Sequence, residues 1–485
     1  MLKLWTPHQT YIDFVSDAVC SMDPATLKRF KAFSSTWNKL SYFDLDRVEP
    51  IMRPLYSSTG RPALHQPEIL RSLFLMMDQH CLSISDWVVK LNNDNLLALL
   101  IGCDPSDLPP LGSYYDLINR LWLFDDSSRF SRSCILSTDK NKSLAKRLKL
   151  KKGEKLPPKH PNSVSHLVKR VVVKEDLPFN YEKILQTIFK LAIVDLSVEK
   201  GLIPRENNTM AGDGTCVHTH SSVYGRKVTL NDGTVKAHYS DPDAEIGWDS
   251  DTNSYYYGYS LYTFAVHNSK LHIDLPVHFR FTSAKRHDSI NLVASLPEFV
   301  NLKHSFHVKN LCLDSAHDTY PIYDLLEHYN MEPFIDLNPK GIPKSIPDTI
   351  NVNSEGIPLC NAGYEMTRAG YCKDRCRIKW RCPLKTGKQT TCNCMDICSP
   401  SPYGRVVYTK PSWDKRLYPS VARESAGWKA VYKCRTSCER INNRILNDYR
   451  LHEMRIHGKK RYSFLTMLIC ANIHLDALNK VLTAA

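Results

Sequence analysis

HVKNLCLDSAHDTYPIYDLL, residues 307–326, is the stretch on which the fold turns. Val308, Leu311, Cys312 and Leu313 form a short apolar run of the kind a buried strand carries, and Pro321 followed by Ile322, Leu325 and Leu326 opens a helix. Asp314 stands at the junction. A carboxylate at the carboxyl end of a buried strand lies where open α/β sheets place ligands, and its oxygens suit a hard divalent cation. The plainer reading makes Asp314 a cap for the turn that follows. Two further acids, one upstream and one far downstream, weigh against it.

The upstream acid is Asp213, set between glycines in Gly212-Asp213-Gly214-Thr215, with Cys216, Val217, Thr219 and Val223 reading as extended chain. Flanking glycines let backbone approach closely, as a site holding a metal and a phosphodiester needs; an ordinary Asp-Gly turn is the alternative. Tyr255 to His267, rich in tyrosine and β-branched residues, predicts a strand. Asn268-Ser269-Lys270 predicts a tight turn, and Leu271 to Phe281 alternates through Ile273, Leu275, Val277 and Phe279 as the returning strand. Ser289 to Val300 reads as a helix and Met331 to Leu337 as a last short strand. Strand, strand, strand, helix, strand, helix, strand predicts an α/β domain with a mixed sheet, and an RNase H-like core has that order, three antiparallel strands first.

The downstream acid is Glu439. Ala426 to Tyr449 predicts one long helix whose core stripe is Trp428, Val431, Cys434, Cys438, Ile441 and Ile445. Arg435, Glu439 and Asn443 share the adjacent face, with Tyr432 near its start. A surface ion pair is the alternative, but Arg preceding Glu is the weaker orientation for helix support, and a pair abutting the core stripe must face something.

Residues 341–425 interrupt the domain and are rich in Pro and Cys. Seven cysteines fall between Cys360 and Cys398, and in a reducing compartment such a cluster points to metal before disulfides. Cys372, Cys376, Cys382, Cys392, Cys394 and Cys398 are the candidate zinc thiolates, with Cys372 and Cys376, and again Cys394 and Cys398, at a spacing such ligands use. A zinc ion would order a segment too polar to bury a core. Which four thiols bind it stays open, and free thiols are the alternative.

Residues 1–124 read as helical. Pro67 suits a first helical position, and Ile69, Leu70, Leu73, Phe74, Met76 and Met77 supply an apolar face. Ser85 to Leu91, Asn95 to Ile101 and Ser113 to Trp122 predict three more short helices. Arg53, Arg61 and Arg71 would let this N-terminal domain sit on DNA in a helix-turn-helix manner. Residues 125–200 form a basic arm and helical linker. Between Lys140 and Arg170 eleven Lys/Arg face one acidic residue, and Lys146, Arg147, Lys149, Lys151 and Lys152 are the candidate phosphate contacts; a solvated loop is the alternative. Helical spacing resumes from Asn180 to Val198. A net charge of +14 over 485 residues favours a polyanionic partner, nucleic acid before membrane. No apolar run approaches the length of a membrane span, and the N-terminus lacks a signal-peptide pattern, so an intracellular protein is expected.

Gly212-Asp213-Gly214-Thr215, Leu313-Asp314-Ser315-Ala316-His317-Asp318 and Tyr432-x2-Arg435-x3-Glu439 resemble the three acidic blocks of bacterial insertion-sequence DDE transposases with a Tyr-Arg-Glu signature. Thr59-Gly60-Arg61-Pro62, Trp87 and Arg120-Leu121-Trp122 resemble that group's helical N-terminal region. The resemblance implies an RNase H-like catalytic core in two parts, 201–340 and 426–485, split by the 341–425 insertion. It implies catalytic Asp213, Asp314 and Glu439 holding two Mg2+ or Mn2+ ions, with Tyr432 and Arg435 in support. It further implies double-stranded DNA ends and target as substrates, a homodimer on that DNA, and a cytoplasmic, nucleoid-associated location. One position departs from the signature: Leu446 stands where it has Lys or Arg, with Arg444 and Arg450 nearby as candidate replacements. Two other functions fit the same residues, a non-catalytic zinc-stabilised DNA-binding protein and an RNase H-fold nuclease without strand transfer.

Overall fold

The computed structural model describes residues 1–2, 4–123, 163–173, 179–338, 346–393, 398–423 and 425–484. Among the described residues eight strands precede the insertion: β1 (Asn208–His218), β2 (Arg226–Thr229), β3 (Val235–His238), β4 (Glu245–Asp249), β5 (Ser254–Asn268), β6 (Ile273–Ser283), β7 (Val308–Leu313) and β8 (Glu332–Ile335). Six of them make one mixed sheet in the order β4-β5-β1-β7-β8, with β6 also on β5. β5 pairs antiparallel with β1, β4 and β6, whereas β7 lies parallel to both β1 and β8. The α/β class with a mixed sheet therefore holds.

The β5–β6 turn forms because the Asn268 side chain accepts the backbone N–H groups of Lys270 and Leu271 at 3.0 and 3.2 Å. Between β1 and β5 the chain adds what the expected order lacks: the separate β2–β3 hairpin and β4, which extends the edge of β5 from Glu245 opposite Gly258. β2 and β3 are largely exposed, and the apolar Ile246 and Trp248 that alternate along β4 face outward, so no buried apolar face announces these strands.

Alternation along β5 sends Tyr262 and Phe264 to one face of the sheet and Thr263 to the other. The helix Asp288–Asn301 covers the first face, its Phe299 ring 5.7 Å from that of Phe264. Ser163–Val172, expected within the charged arm, is instead a helix whose buried Val164, Leu167, Val168 and Val171 pack beside it. Its i, i+3, i+4, i+7 spacing explains the difference. The opposite face carries the acidic helix and the C-terminal helix Lys459–Ala484, whose Tyr462 ring lies 5.4 Å from that of Tyr259.

The C-terminal helix corrects the expectation that no segment matches a membrane span. Its stretch Lys459–Thr483 is long and apolar enough by length and composition, with a mean hydropathy of 1.2, but 72% of that window is buried inside the protein. It lies between β6 and the N-terminal helices, Gln66–Asp78 above all. The latter helix is apolar on more than one side because every residue from Gln66 to Met77 is buried. Arg71, expected among the DNA contacts, is fully buried with its guanidinium 3.7 Å from the centre of the Tyr11 ring, and no phosphate can reach it. One hydrophobic core thus runs from the N-terminal helices through the sheet to Leu478. Each fully buried large apolar side chain in it contributes about 1.5–3 kcal/mol.

The insertion has its own core of Cys360, Met366, Ile378, Trp380, Leu417 and Tyr418. Over it lies a three-stranded sheet of β9 (Thr367–Cys372), β10 (Arg377–Arg381) and β11 (Val406–Thr409), with β10 central and antiparallel to both neighbours. The returning chain straps this unit to the body. Arg416 pairs with Asp318 at 3.0 Å, both fully buried, and Arg423 Nε donates to the Ile335 carbonyl at 3.0 Å.

Candidate active site

Ala211 of β1 lies opposite Cys312 of the parallel strand β7. Two residues on, with the side-chain period of two, Asp213 and Asp314 come out on the same face of neighbouring strands. Local sequence held the strands, and the register between them makes the pair.

What surrounds the pair comes from both faces. Tyr432 donates its hydroxyl to the Leu313 carbonyl at 3.2 Å, Cys312 donates its thiol to the Val431 carbonyl at 3.5 Å, and Cys438 donates to the Ala211 carbonyl at 3.1 Å. These bonds lay the acidic helix across the ends of β1 and β7. Cys312 and Cys438 are both buried and act as small hydrophobes with a local polar bond, as the core stripe predicts for Cys438, while Cys434 of the same stripe is half-buried. The helix is not one regular cylinder: Ala426–Tyr432 passes through a tightened turn at Lys433–Arg435 into Thr436–Asn443, then a widened turn at Arg444–Asp448. At the first break the Thr436 hydroxyl donates to the Lys433 carbonyl at 3.0 Å, a back-bond of the kind that bends helices.

On the other face His317 joins Asp314 Oδ1 through Nδ1, and its Nε2 lies 3.1 Å from the Tyr262 hydroxyl. The glycines beside Asp213 make room for these groups. A Cβ on Gly212 would stand 2.9 Å from the Tyr262 hydroxyl, and one on Gly214 would overlap the carboxylate of Asp288. Asp288 opens the helix Asp288–Asn301 and was not among the expected site residues. An Asp in a helix's first turn is so ordinary that its sequence carries no signal. His317, by contrast, is tied to the site through Asp314.

Charge follows this crowding. Burial, reinforced by the carboxylates of Asp288 and Asp314, pushes the Asp213 carboxyl up to about 7. Burial raises the Asp288 carboxyl as well. Burial works the same way on Asp314, but the hydrogen bond and charge of His317, with the charge of Arg435, outweigh it and hold that carboxyl below its usual range. Burial would lower the His317 pKa; its bond to Asp314 and the charges of Asp314, Asp288 and Asp213 overcome this and raise it. Three half-buried carboxylates thus act on one another, with His317 and Arg435 as the cations nearest to them in effect.

Glu439 is placed differently. Its side chain is 47% exposed, and Arg435 Nη2 donates to its Oε1 at 2.5 Å. Arg435 itself lies near enough to bias Asp213 and Asp314. Arg435 thus links Glu439 to the pair by charge, and Glu439 also borders a cavity with Asp274, Arg440 and Arg444. The signature's missing cation is not restored: Leu446 is buried, Arg444 pairs with Asp476 at 2.8 Å, and Arg450 is paired with Glu453.

Among the described residues no three His, Cys, Asp or Glu side chains are gathered closely enough to hold a metal ion. Cys372 and Cys376 flank the β9–β10 turn, Cys382 is buried, and Cys376 and Cys392 are exposed. Cys394 lies outside the described residues, as do Lys146, Arg147, Lys149, Lys151 and Lys152. Carboxylate oxygens such as those of Asp213, Asp314 and Asp288 are the hard donors Mg2+ or Mn2+ takes, but the three do not converge closely enough here to form a ligand set by themselves. No protein-family model matches this chain, and no curated protein is significantly similar to it.

Proposed function

We propose that the protein is a DDE-type DNA transposase with an RNase H-like core, cutting and joining the ends of an insertion sequence. What carries this reading is the meeting of Asp213 and Asp314 on adjacent parallel strands beneath the helix of Tyr432, Arg435 and Glu439. Strand order supports it too: three antiparallel strands, β1, β5 and β6, followed by β7 and β8 parallel to β1, is the order expected of such a core.

Two Mg2+ or Mn2+ ions, when bound, supply the activation of water or a 3'-hydroxyl and the stabilisation of the leaving oxygen. Asp213 and Asp314 would hold them, joined by Glu439 once a DNA phosphate draws Arg435 away from it. His317 and Tyr262 fix the orientation of Asp314. Tyr432 holds the helix to the end of β7 while Arg435 meets the phosphodiester. Cleavage and strand transfer are the same displacement at phosphorus with different nucleophiles, on duplex ends brought together by two copies of the chain. A zinc ion on the insertion's thiols belongs to the same reading.

One observation favours the non-catalytic DNA-binding alternative: Glu439 is engaged by Arg435 and the signature cation is replaced by a buried Leu446. Incubation with the element's terminal repeats and Mn2+, scored for 3'-end cleavage and joining, separates the two. Products that disappear in Asp314→Asn support the transposase; binding without products from the unaltered protein supports the alternative.

A further inference from the structure

The insertion's small sheet has one face that its core does not use. Along β10 the buried Ile378 and Trp380 point inward, so Arg377, Lys379 and Arg381 share the outer face, each about 6.7 Å from the next. Tyr408 of β11 lies directly opposite Lys379 in the antiparallel register. The guanidinium of Arg377 stacks 3.8 Å from the centre of the Tyr408 ring, and that of Arg381 lies 5.6 Å from the ring of Tyr403, which is 66% exposed. Stacking holds both guanidinium planes in place without neutralising them. None of Arg377, Lys379 and Arg381 has an acidic partner among the described residues. From Met366 to Lys410 the chain carries ten Lys/Arg and two Asp. So one-sided a charge on a rigid surface repels itself and stays soluble, but it is costly without a polyanion to meet it. The strap ends next to the site, since Arg416 grips Asp318, four residues after Asp314.

We infer that the outer face of β9–β11 is a nucleic-acid docking surface that tracks the backbone of duplex DNA. Its cations engage phosphates in a row while Tyr403 and Tyr408 present ring faces to sugar or base. This rests on the transposase reading for its choice of DNA as the polyanion, but it assigns the contact to residues outside the acidic site and outside the basic arm.

The test uses the full-length chain and a generic 30-base-pair duplex, with affinity followed by fluorescence anisotropy across a salt series. Releasing counterions from three phosphates contributes about 2–3 to the slope of log K against log salt. The triple variant Arg377→Gln, Lys379→Gln, Arg381→Gln should lose that much slope and bind about 10–100-fold more weakly at 0.1 M salt. The charge-keeping pair Arg377→Lys, Arg381→Lys should retain the slope, and circular dichroism melts of both variants check that the insertion stays folded. An unchanged slope in a folded triple variant overturns the inference, as does a wild-type chain that binds phosphatidylserine vesicles but not the duplex. If the slope falls as stated while no variant or wild type ever cuts terminal repeats, the docking surface stands and the transposase reading fails. If wild type cuts and joins but the triple variant's slope is intact, the reverse holds.

Discussion

The two halves of the candidate site are built on different principles. Asp213 and Asp314 stand on neighbouring strands whose register is set by backbone pairing, and His317, Tyr262 and Asp288 close in around them. Glu439 stands on a helix broken at Lys433–Arg435 and again at Arg444–Asp448, exposed and held by Arg435. Strands place carboxylates rigidly; a helix with a tightened and a widened turn can slide. On the proposed reading the site would be half assembled in the sheet and half completed by substrate, with Arg435 as the group that changes partners. Such irregular turns recur at functional places for this reason.

The largest effect should separate the halves directly. Asp314→Asn keeps shape and hydrogen bonding to His317 but loses a charged ligand, so Mn2+-dependent end cleavage should fall on the order of 10³-fold or more while duplex binding stays within about twofold. Cleavage retained by Asp314→Asn would remove the strand half from the chemistry. The next effect concerns the hinge between the halves. Arg435→Gln frees Glu439 but withdraws the phosphate contact, and cleavage should fall about 10–100-fold with a raised DNA requirement, read as a KM change larger than the kcat change. If Arg435 is only a surface partner of Glu439, rate and KM should both stay near wild type.

A third substitution probes how tightly the strand half is packed. Gly214→Ala puts a methyl into the Asp288 carboxylate, which should cost about 1–3 kcal/mol by chemical denaturation. The matching Gly427→Ala on the acidic helix meets only ordinary contacts and should be neutral or slightly stabilising by about 0.5 kcal/mol. A further effect, of similar small size, is one of pH. Burial, with the carboxylates of Asp288 and Asp314, pushes the folded Asp213 carboxyl from 3.8 up to about 7, so the folded state binds more protons between those values and loses stability as pH rises through them. Asp213→Asn escapes this loss. It should be more stable than wild type above pH 7, by on the order of 1 kcal/mol after discounting for water at the site, and the difference should vanish as pH falls toward 4. A constant difference across that range would mean Asp213 is not crowded by the other carboxylates.

How much of this was legible follows from what is local and what is not. Val308 to Leu313 and Tyr255 to His267 carry their strand patterns within a few residues, and the strands fall where the pattern puts them. Trp428, Val431, Cys434, Cys438, Ile441 and Ile445 mark a helix face by spacing alone; four of them are buried, and Val431 and Cys434 are half-buried against the same core. The breaks in that helix were not legible, because Lys433 to Arg435 and Arg444 to Asp448 contain no Pro or Gly. Nor was the role of Asp288, which depends on a helix folding back over Gly214 from 74 residues away in sequence. Arg71 misled for a related reason: a cation counts as surface charge until a ring such as that of Tyr11, sixty residues earlier, takes it inside. Exposed β2–β3 escaped because four-residue strands with neither face buried carry too short and too polar a pattern to announce themselves.

The account rests on Asp213, Asp314 and Glu439 gripping divalent cations together, and Mn2+ titration of the full-length chain bound to a duplex end measures that directly. The account predicts saturable binding that is lost in Asp213→Asn and Asp314→Asn and weakened about 10–100-fold in Glu439→Gln. Mn2+ affinity in Glu439→Gln equal to that of wild type would contradict it, leaving the acidic helix outside the metal site.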